Sequence, residues 1–209
     1  SALPAYSEYL HNRQHNQKER PFKGFTFSRL VGKYSMDGHR ILFCDDVYLE
    51  IRSYEDEFIN LLHQRMIASD SLLLGRETVP IKNCRLTDAH LLREEASIRM
   101  LSPAVVYRTL ENRQTVFLQP DDAEFYRSLE MNARRKWQFY HGNAPCNISV
   151  SSAFEVLPKK QFSTFKGTYI TGWFGDYKLI GTPELLDLLY QTGLGAKNSE
   201  GFGMFDIRS

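Results

Sequence analysis

Residues 181–205 read GTPELLDLLYQTGLGAKNSEGFGMF, and the order of elements within them governs how the rest of the chain is read. Thr182-Pro183-Glu184 is a strong helix start: a hydroxyl at the cap, proline at the first helical position, and an acid facing the positive end of the dipole. Leu185, Leu188 and Leu189 give that helix its apolar face. Gly193 is expected to end it in the left-handed region. From Gly193 to Gly203 the chain has the form G-x-G-x5-G-x-G, and a strand from Phe202 to Ile207 follows. A dinucleotide or phosphate loop follows a strand and opens a helix, so that helix amides meet the phosphate. This loop follows a helix and enters a strand, and the negative end of the dipole points at it. A nucleotide loop of that kind is therefore excluded. Gly195, Gly201 and Gly203 permit close approach of another backbone, while Lys197, Asn198 and Ser199 supply polar groups at the tip. Two readings stay open: a tight connection with no ligand, or a surface for a sugar-phosphate chain held by backbone N–H groups and Lys197.

Upstream, the second half reads strand, helix, strand, strand, helix, strand. Ile98 to Tyr107 is a strand interrupted by Pro103, which suits an edge or a bend. Asp121 and Glu124 form a capping-box pattern opening a long helix with Phe125, Leu129, Ala133 and Trp137 at four-residue spacing. Glu130 and Arg134 are placed to pair along it. Strands near Ile148 to Val156 and Gly167 to Ile180 follow. This order is the ferredoxin-like pattern. The first half has a helical stretch at residues 3–12, strands near Phe22 to Val31, Arg40 to Cys44 and Val47 to Ile51, and a turn at Met36-Asp37-Gly38. A helix opened by Ser53 and Asp56 then carries Phe58, Leu61, Leu62 and Met66, and extended segments run from Leu72 toward Leu86. That is the same pattern without its opening strand, so a strand is expected either upstream of Ser1 or from another segment. The fold class expected is α+β: two tandem ferredoxin-like (RRM-like) domains, at 1–95 and 96–209, the first lacking its opening strand.

The 209 residues leave room for two domains of roughly 100 each. With 42% apolar and 24% charged residues the composition is that of an ordinary globular protein. No apolar run reaches the roughly 20 residues of a membrane helix, and Ser1-Ala2-Leu3-Pro4 does not begin a secretion signal. A cytoplasmic protein is expected. Cys44, Cys84 and Cys146 show no metal-ligand spacing and read as core thiols in a reducing compartment; no metal or cofactor is expected. The net charge of +1 hides local clusters. Arg13, Lys18, Arg20, Lys23 and Arg29 crowd the first thirty residues, and Arg134-Arg135-Lys136 and Lys159-Lys160 form two more knots. Such clusters either track a phosphate backbone or are ordinary solvated charge.

The stretch GTPELLDLLYQTGLGAKNSEGFGMF closely resembles the C-terminal signature of the CRISPR-associated repeat-RNA endoribonucleases (the Cas-six family of the RAMP superfamily). There a helix ends in a G-L-G-x-K-N-S-x-G-F-G-M loop close to the terminus. FKGFTFSRL, Phe22 to Leu30, resembles the family's F-K-x-F-T-F-S-x-L strand, and LSPAVV, Leu101 to Val106, resembles the start of its second half. The resemblance implies two tandem ferredoxin-like domains and metal-free cleavage of precursor CRISPR RNA within its repeats. In that reaction the upstream ribose 2′-hydroxyl attacks phosphorus and leaves a cyclic phosphate and a 5′-hydroxyl. It needs a base, an acid, and positive charge at the phosphorane.

By the same resemblance Leu10-His11 matches the place of the catalytic histidine, with His15 as runner-up, and Lys23 matches a lysine that stabilises charge. Asn12, Arg13 and Gln14 depart from the family's usual acidic residue and glycine after the histidine. Gly193, Gly195, Lys197, Asn198, Ser199, Gly201 and Gly203 become the implied RNA-binding loop. His39, His63, His90 and His141 belong to no cluster and read as surface or packing residues. Precursor repeat RNA is the implied partner, with CRISPR effector-complex subunits and a second copy of the chain as further candidates. The alternatives are a non-catalytic repeat-RNA-binding protein and an effector-complex subunit of the same fold.

Overall fold

Alternation of apolar and polar residues in Glu95–Met100 is what the inner strand of a sheet covered on one face requires. In the computed structural model, which describes residues 22–38, 40–153, 157–165 and 167–208, Ala96, Ile98 and Met100 are buried there and Glu95, Ser97 and Arg99 are exposed. The first half contains β1 (Phe25–Phe27), β2 (Tyr34–Asp37), β3 (Arg40–Phe43), β4 (Ile51–Ser53), α1 (Asp56–Ile67), β5 (Ser71–Leu74) and β6 (Glu77–Pro80). The second contains β7 (Glu95–Met100), β8 (Tyr107–Thr109), β9 (Thr115–Phe117), α2 (Ala123–His141), β10 (Ile148–Ser152), β11 (Lys159–Phe165), β12 (Thr168–Phe174), β13 (Asp176–Gly181), α3 (Pro183–Thr192) and β14 (Phe205–Ile207).

The second half is a ferredoxin-like sandwich. Its sheet runs β10-β13-β7-β14 with every neighbour antiparallel, and β8–β9 and β11–β12 are hairpins inserted into the strand–helix–strand order. The spacing of Phe125, Leu129, Ala133 and Trp137 places all four in the core. Ile148 and Val150, Tyr177 and Leu179 meet them from the sheet. Each large apolar side chain so enclosed contributes about 1.5–3 kcal/mol relative to exposure. α3 is enclosed on all sides, with every residue from Leu185 to Thr192 buried, not only its leucine face. The expected Glu130–Arg134 pair forms at 3.6 Å.

The first half is built differently. β1 pairs antiparallel with β4, Thr26 opposite Arg52. One face of this ribbon sets Phe25 against Phe58 of α1, ring centroids 4.9 Å apart. The other face buries Thr26 and Arg52 against the second half. β2–β3 and β5–β6 are two further hairpins.

Several local expectations are corrected. The cap of α2 is Asp122, whose side chain accepts from the Glu124 amide, one place later than the Asp121 pattern. The cap of α1 is Glu55, and Ser53 Oγ instead accepts from the Glu55 amide and donates to the Gly24 carbonyl. Thr182 is the cap of α3, yet its hydroxyl makes no cap hydrogen bond and is buried without a partner. Gly193 does have positive φ, but at φ 84°, ψ 164° it lies outside the left-handed helical region. Pro103 marks a break after β7, a central strand rather than an edge. Only one thiol reaches the core: Cys44 is exposed and Cys84 half-buried, while half-buried Cys146 packs against the core. The helical stretch at 3–12 and both candidate histidines, His11 and His15, lie outside the described residues. So does His39. Among the described residues no helix is long and apolar enough to cross a membrane.

Candidate nucleic-acid interface

The C-terminal end of a helix leaves carbonyls without partners, and the loop after α3 is organised around them. Leu194 N–H donates to the Gly203 carbonyl at 2.7 Å, so the two ends of the loop are joined. Ala196 N–H donates to the Val105 carbonyl and Gly203 N–H to the Pro103 carbonyl, at 2.8 and 2.9 Å. The 101–106 segment is therefore the floor on which the loop lies. Two glycines are required by that approach. A Cβ at Gly195, φ +78°, would stand 2.7 Å from the Val105 carbonyl oxygen. One at Gly203, φ +79°, would collide with the Leu194 carbonyl. Gly201 lies against the ring of Phe27, and Gly193 against Asn198 and Thr26. The "other backbone" that these glycines admit is the protein's own.

Asn198 sits inside the loop. Its Nδ2 donates to the Leu194 and Phe202 carbonyls at 3.3 and 3.0 Å. Its Oδ1 accepts from Lys136 Nζ at 2.7 Å. The polar tip expected from sequence is thus divided: the Asn198 side chain faces inward, while Lys197 and Ser199 remain half-exposed. Lys197 adopts a left-handed conformation, φ 62°, ψ 29°, and pairs with Glu200 at 3.1 Å.

The loop and the Phe22–Leu30 segment form one surface. Thr26 Oγ1 donates to the Phe202 carbonyl at 3.1 Å. Arg29 lies 5.1 Å over the Phe202 ring and donates to Ser163 Oγ of β11 at 3.2 Å. Partial burial holds its guanidinium below the ordinary value. Arg52 donates to the Phe205 carbonyl at 2.7 Å and stacks over Tyr190 at 3.7 Å. Lys23 is exposed at the start of this strand, beside buried Gly24.

The basic knot at 134–136 is split by the helix turn. Arg135 is exposed. Arg134 pairs with Glu130 and donates to the Ile148 carbonyl at 3.2 Å. Lys136 is 1% exposed and donates to the Thr192 and Gly193 carbonyls as well as to Asn198. Burial pushes its ammonium down to about 7. The inward turn of Lys136 was legible in principle, because it lies three residues after Ala133 and seven after Leu129 on the apolar stripe. Lys159 and Lys160 are exposed, and Lys160 lies 5.1 Å from the ring of Phe162.

The other histidines sit in separate places. His90 bonds Asp187 and Asp88. His141 stacks on Trp137 at 3.9 Å and bonds the Tyr54 hydroxyl. His63 lies in α1.

The chain is similar to known proteins. Residues 86–207 match the family model described as CRISPR associated protein Cas6, C-terminal. The chain is 28% identical to CRISPR-associated endoribonuclease Cas6 1 of Methanocaldococcus jannaschii, over 98% of this chain and 79% of that protein. It is 30% identical to CRISPR-associated endoribonuclease Cas6 of Pyrococcus furiosus over 51% of this chain and 40% of that protein. A solved structure described as CRISPR associated protein Cas6 superposes with a TM-score of 0.76 at 26% identity, covering 100% of this chain and 86% of that one. With the family match spanning more than half its length and a glycine loop seated on the 101–106 floor, this chain belongs to the Cas6 family.

Proposed function

We propose that this chain is an endoribonuclease that cleaves precursor CRISPR RNA within its repeats, in the cytoplasm and without metal. The relatives named as CRISPR-associated endoribonucleases support the activity. The observation that carries the reading is the seam between loop and strand: Thr26 bonds Phe202 three residues after exposed Lys23. An RNA strand lying on the half-exposed residues of the 193–203 loop then passes within reach of the start of β1.

The proposed chemistry uses the substrate's own nucleophile. His11 takes the proton of the 2′-hydroxyl or delivers one to the leaving 5′-oxygen, and His15 is the second candidate for either task. The 2′-oxygen–phosphorus bond forms as the phosphorus–5′-oxygen bond breaks. The Lys23 ammonium faces the charge that builds on the phosphorane oxygens. Gly193, Gly195, Lys197, Asn198, Ser199, Gly201 and Gly203 form the RNA-binding loop. Lys197, Ser199 and backbone N–H groups make the contacts, and Asn198 with the glycines fixes the shape. Further partners proposed are effector-complex subunits and a second copy.

The test is cleavage of repeat RNA from the host's CRISPR array in excess chelator. Product with a 2′,3′-cyclic phosphate is expected, and His11→Ala is expected to lower the rate by about a hundredfold or more. Full activity in both His11→Ala and His15→Ala would remove this mechanism. Tight binding with no product would make the chain a binding protein instead.

A further inference from the structure

We propose that Lys136 is a positioning residue of the RNA-binding loop, fixing the end of α3 and the inward Asn198 so that Lys197 and Ser199 are held toward RNA. The inference rests on the RNA-binding role of the loop stated above.

Three acceptors converge on one ammonium. The Thr192 carbonyl at the last residue of α3 and the Gly193 carbonyl just past it are two, and Asn198 Oδ1 is the third. An ammonium has three hydrogens, so the set matches it one to one. A cation at this end also meets the negative pole of the helix dipole. Taken out of water without such partners, the charge would be strongly disfavoured, so Lys136 and the loop geometry depend on each other.

Asn198 carries the constraint outward. With Oδ1 held by Lys136, its Nδ2 has one orientation, toward the Leu194 and Phe202 carbonyls. Those two carbonyls stand on opposite arms of the loop. The turn between them, Asn198–Glu200, presents Ser199, and left-handed Lys197 stands at its start. The Phe202 carbonyl also accepts from Thr26. On its other side Lys136 Nζ lies 5.9 Å from the ring of Phe22, next to Lys23. One buried lysine therefore bonds the loop and lies 5.9 Å from the ring that precedes Lys23, while itself out of reach of RNA.

The measurement is the Kd of the full chain for a synthetic 2′-O-methyl repeat RNA, which has no attacking hydroxyl, with single-turnover cleavage of the ordinary RNA beside it. Lys136→Met keeps the bulk and removes the donors. A rise in Kd of about tenfold or more is expected, with the saturating cleavage rate changed less than about threefold. A lysine that merely stabilised the fold would lower the unfolding midpoint and leave the folded protein's Kd within about twofold. That result overturns the proposal. If Lys136→Met does not fold, Asn198→Ala, which removes the acceptor on the loop side, is expected to raise Kd by about tenfold or more, and an unchanged Kd in the folded variant overturns the proposal. Wild-type binding without cleavage removes the endoribonuclease reading and leaves the Kd comparison standing. Wild-type protein that does not bind repeat RNA overturns both.

Discussion

The two halves of the chain are held by different physics. From Leu91 onward the described residues enclose a continuous apolar core of sheet and two helices. Among the described residues between Phe22 and Ala89, the buried side chains are the polar ones of Thr26, Ser28, Arg52 and Ser53. Two of these, Thr26 and Arg52, bond the backbone of the second half, at Phe202 and Phe205. α1, amphipathic by sequence, has no fully buried residue. The second half thus stands on hydrophobic burial, while the described part of the first is registered on it by directed polar contacts beside a few aromatic ones, Tyr54 on Tyr140 and Phe22 on Phe139. The difference matters for the proposed function, because the polar seam, where Thr26 bonds Phe202, joins the segment that carries Lys23 to the glycine loop.

The largest test of this contrast is the same substitution in both halves. Phe125→Ala empties the enclosed core and is expected to cost about 3–5 kcal/mol. Phe58→Ala strips a half-buried ring from α1 and is expected to cost about 1–2 kcal/mol. Denaturant unfolding measures both, and equal losses would break the comparison. Arg52→Met is expected to cost about 1–3 kcal/mol, since it leaves the Phe205 carbonyl without its donor. The loss should show first as faster hydrogen exchange across β1 and β4, with β7 and β13 protected as before. Uniform loosening of both sheets would mean that the halves share one core after all.

The smallest effect is a pH dependence at the connection between the halves. The hydrogen bond to Asp187, and then its charge, raise the His90 pKa above the ordinary value. The folded chain therefore holds this proton more tightly than the unfolded one. The contribution is complete below 6.5 and is lost as pH rises through the folded value. Half of His90 is exposed, so solvent screens the pair, and less than about 1 kcal/mol is at stake. Melting temperatures from pH 5.5 to 8.5 should fall more in the wild type than in His90→Ala; parallel profiles would sink the assignment.

The architecture of the second half was legible because its signals are local. Four-residue spacing from Phe125 to Trp137 and the Thr182-Pro183-Glu184 start need no tertiary knowledge, and both helices stand where the pattern placed them. Caps slipped by a residue or two: Asp122 rather than Asp121 takes the Glu124 amide, and Ser53 turns to the Glu55 amide and the Gly24 carbonyl. The site was legible only in part. The glycine loop announces close backbone approach but not whose backbone approaches, and here it is the 101–106 segment and the loop's own far arm. Lys136 reads as surface charge beside Arg134 and Arg135; only the meeting of two helices distant in sequence gives its ammonium three acceptors. Arg29 reaches Ser163 and Arg52 the Phe205 carbonyl, each more than a hundred residues away, which no periodicity encodes.

The pairing of Thr26 with Arg52 on one side of a two-stranded ribbon, and of Phe25 with Phe58 on the other, makes the joint keyed. Side chains alternate along a strand, so a slip of one residue would turn Phe25 or Phe27 toward the hydroxyl and guanidinium sockets and aim Thr26 at the apolar helix. Oil against oil tolerates sliding; a donor facing a fixed carbonyl does not. Misalignment is therefore penalised on both sides at once, and the distance from Lys23 to the loop is set by the chain's own pleat.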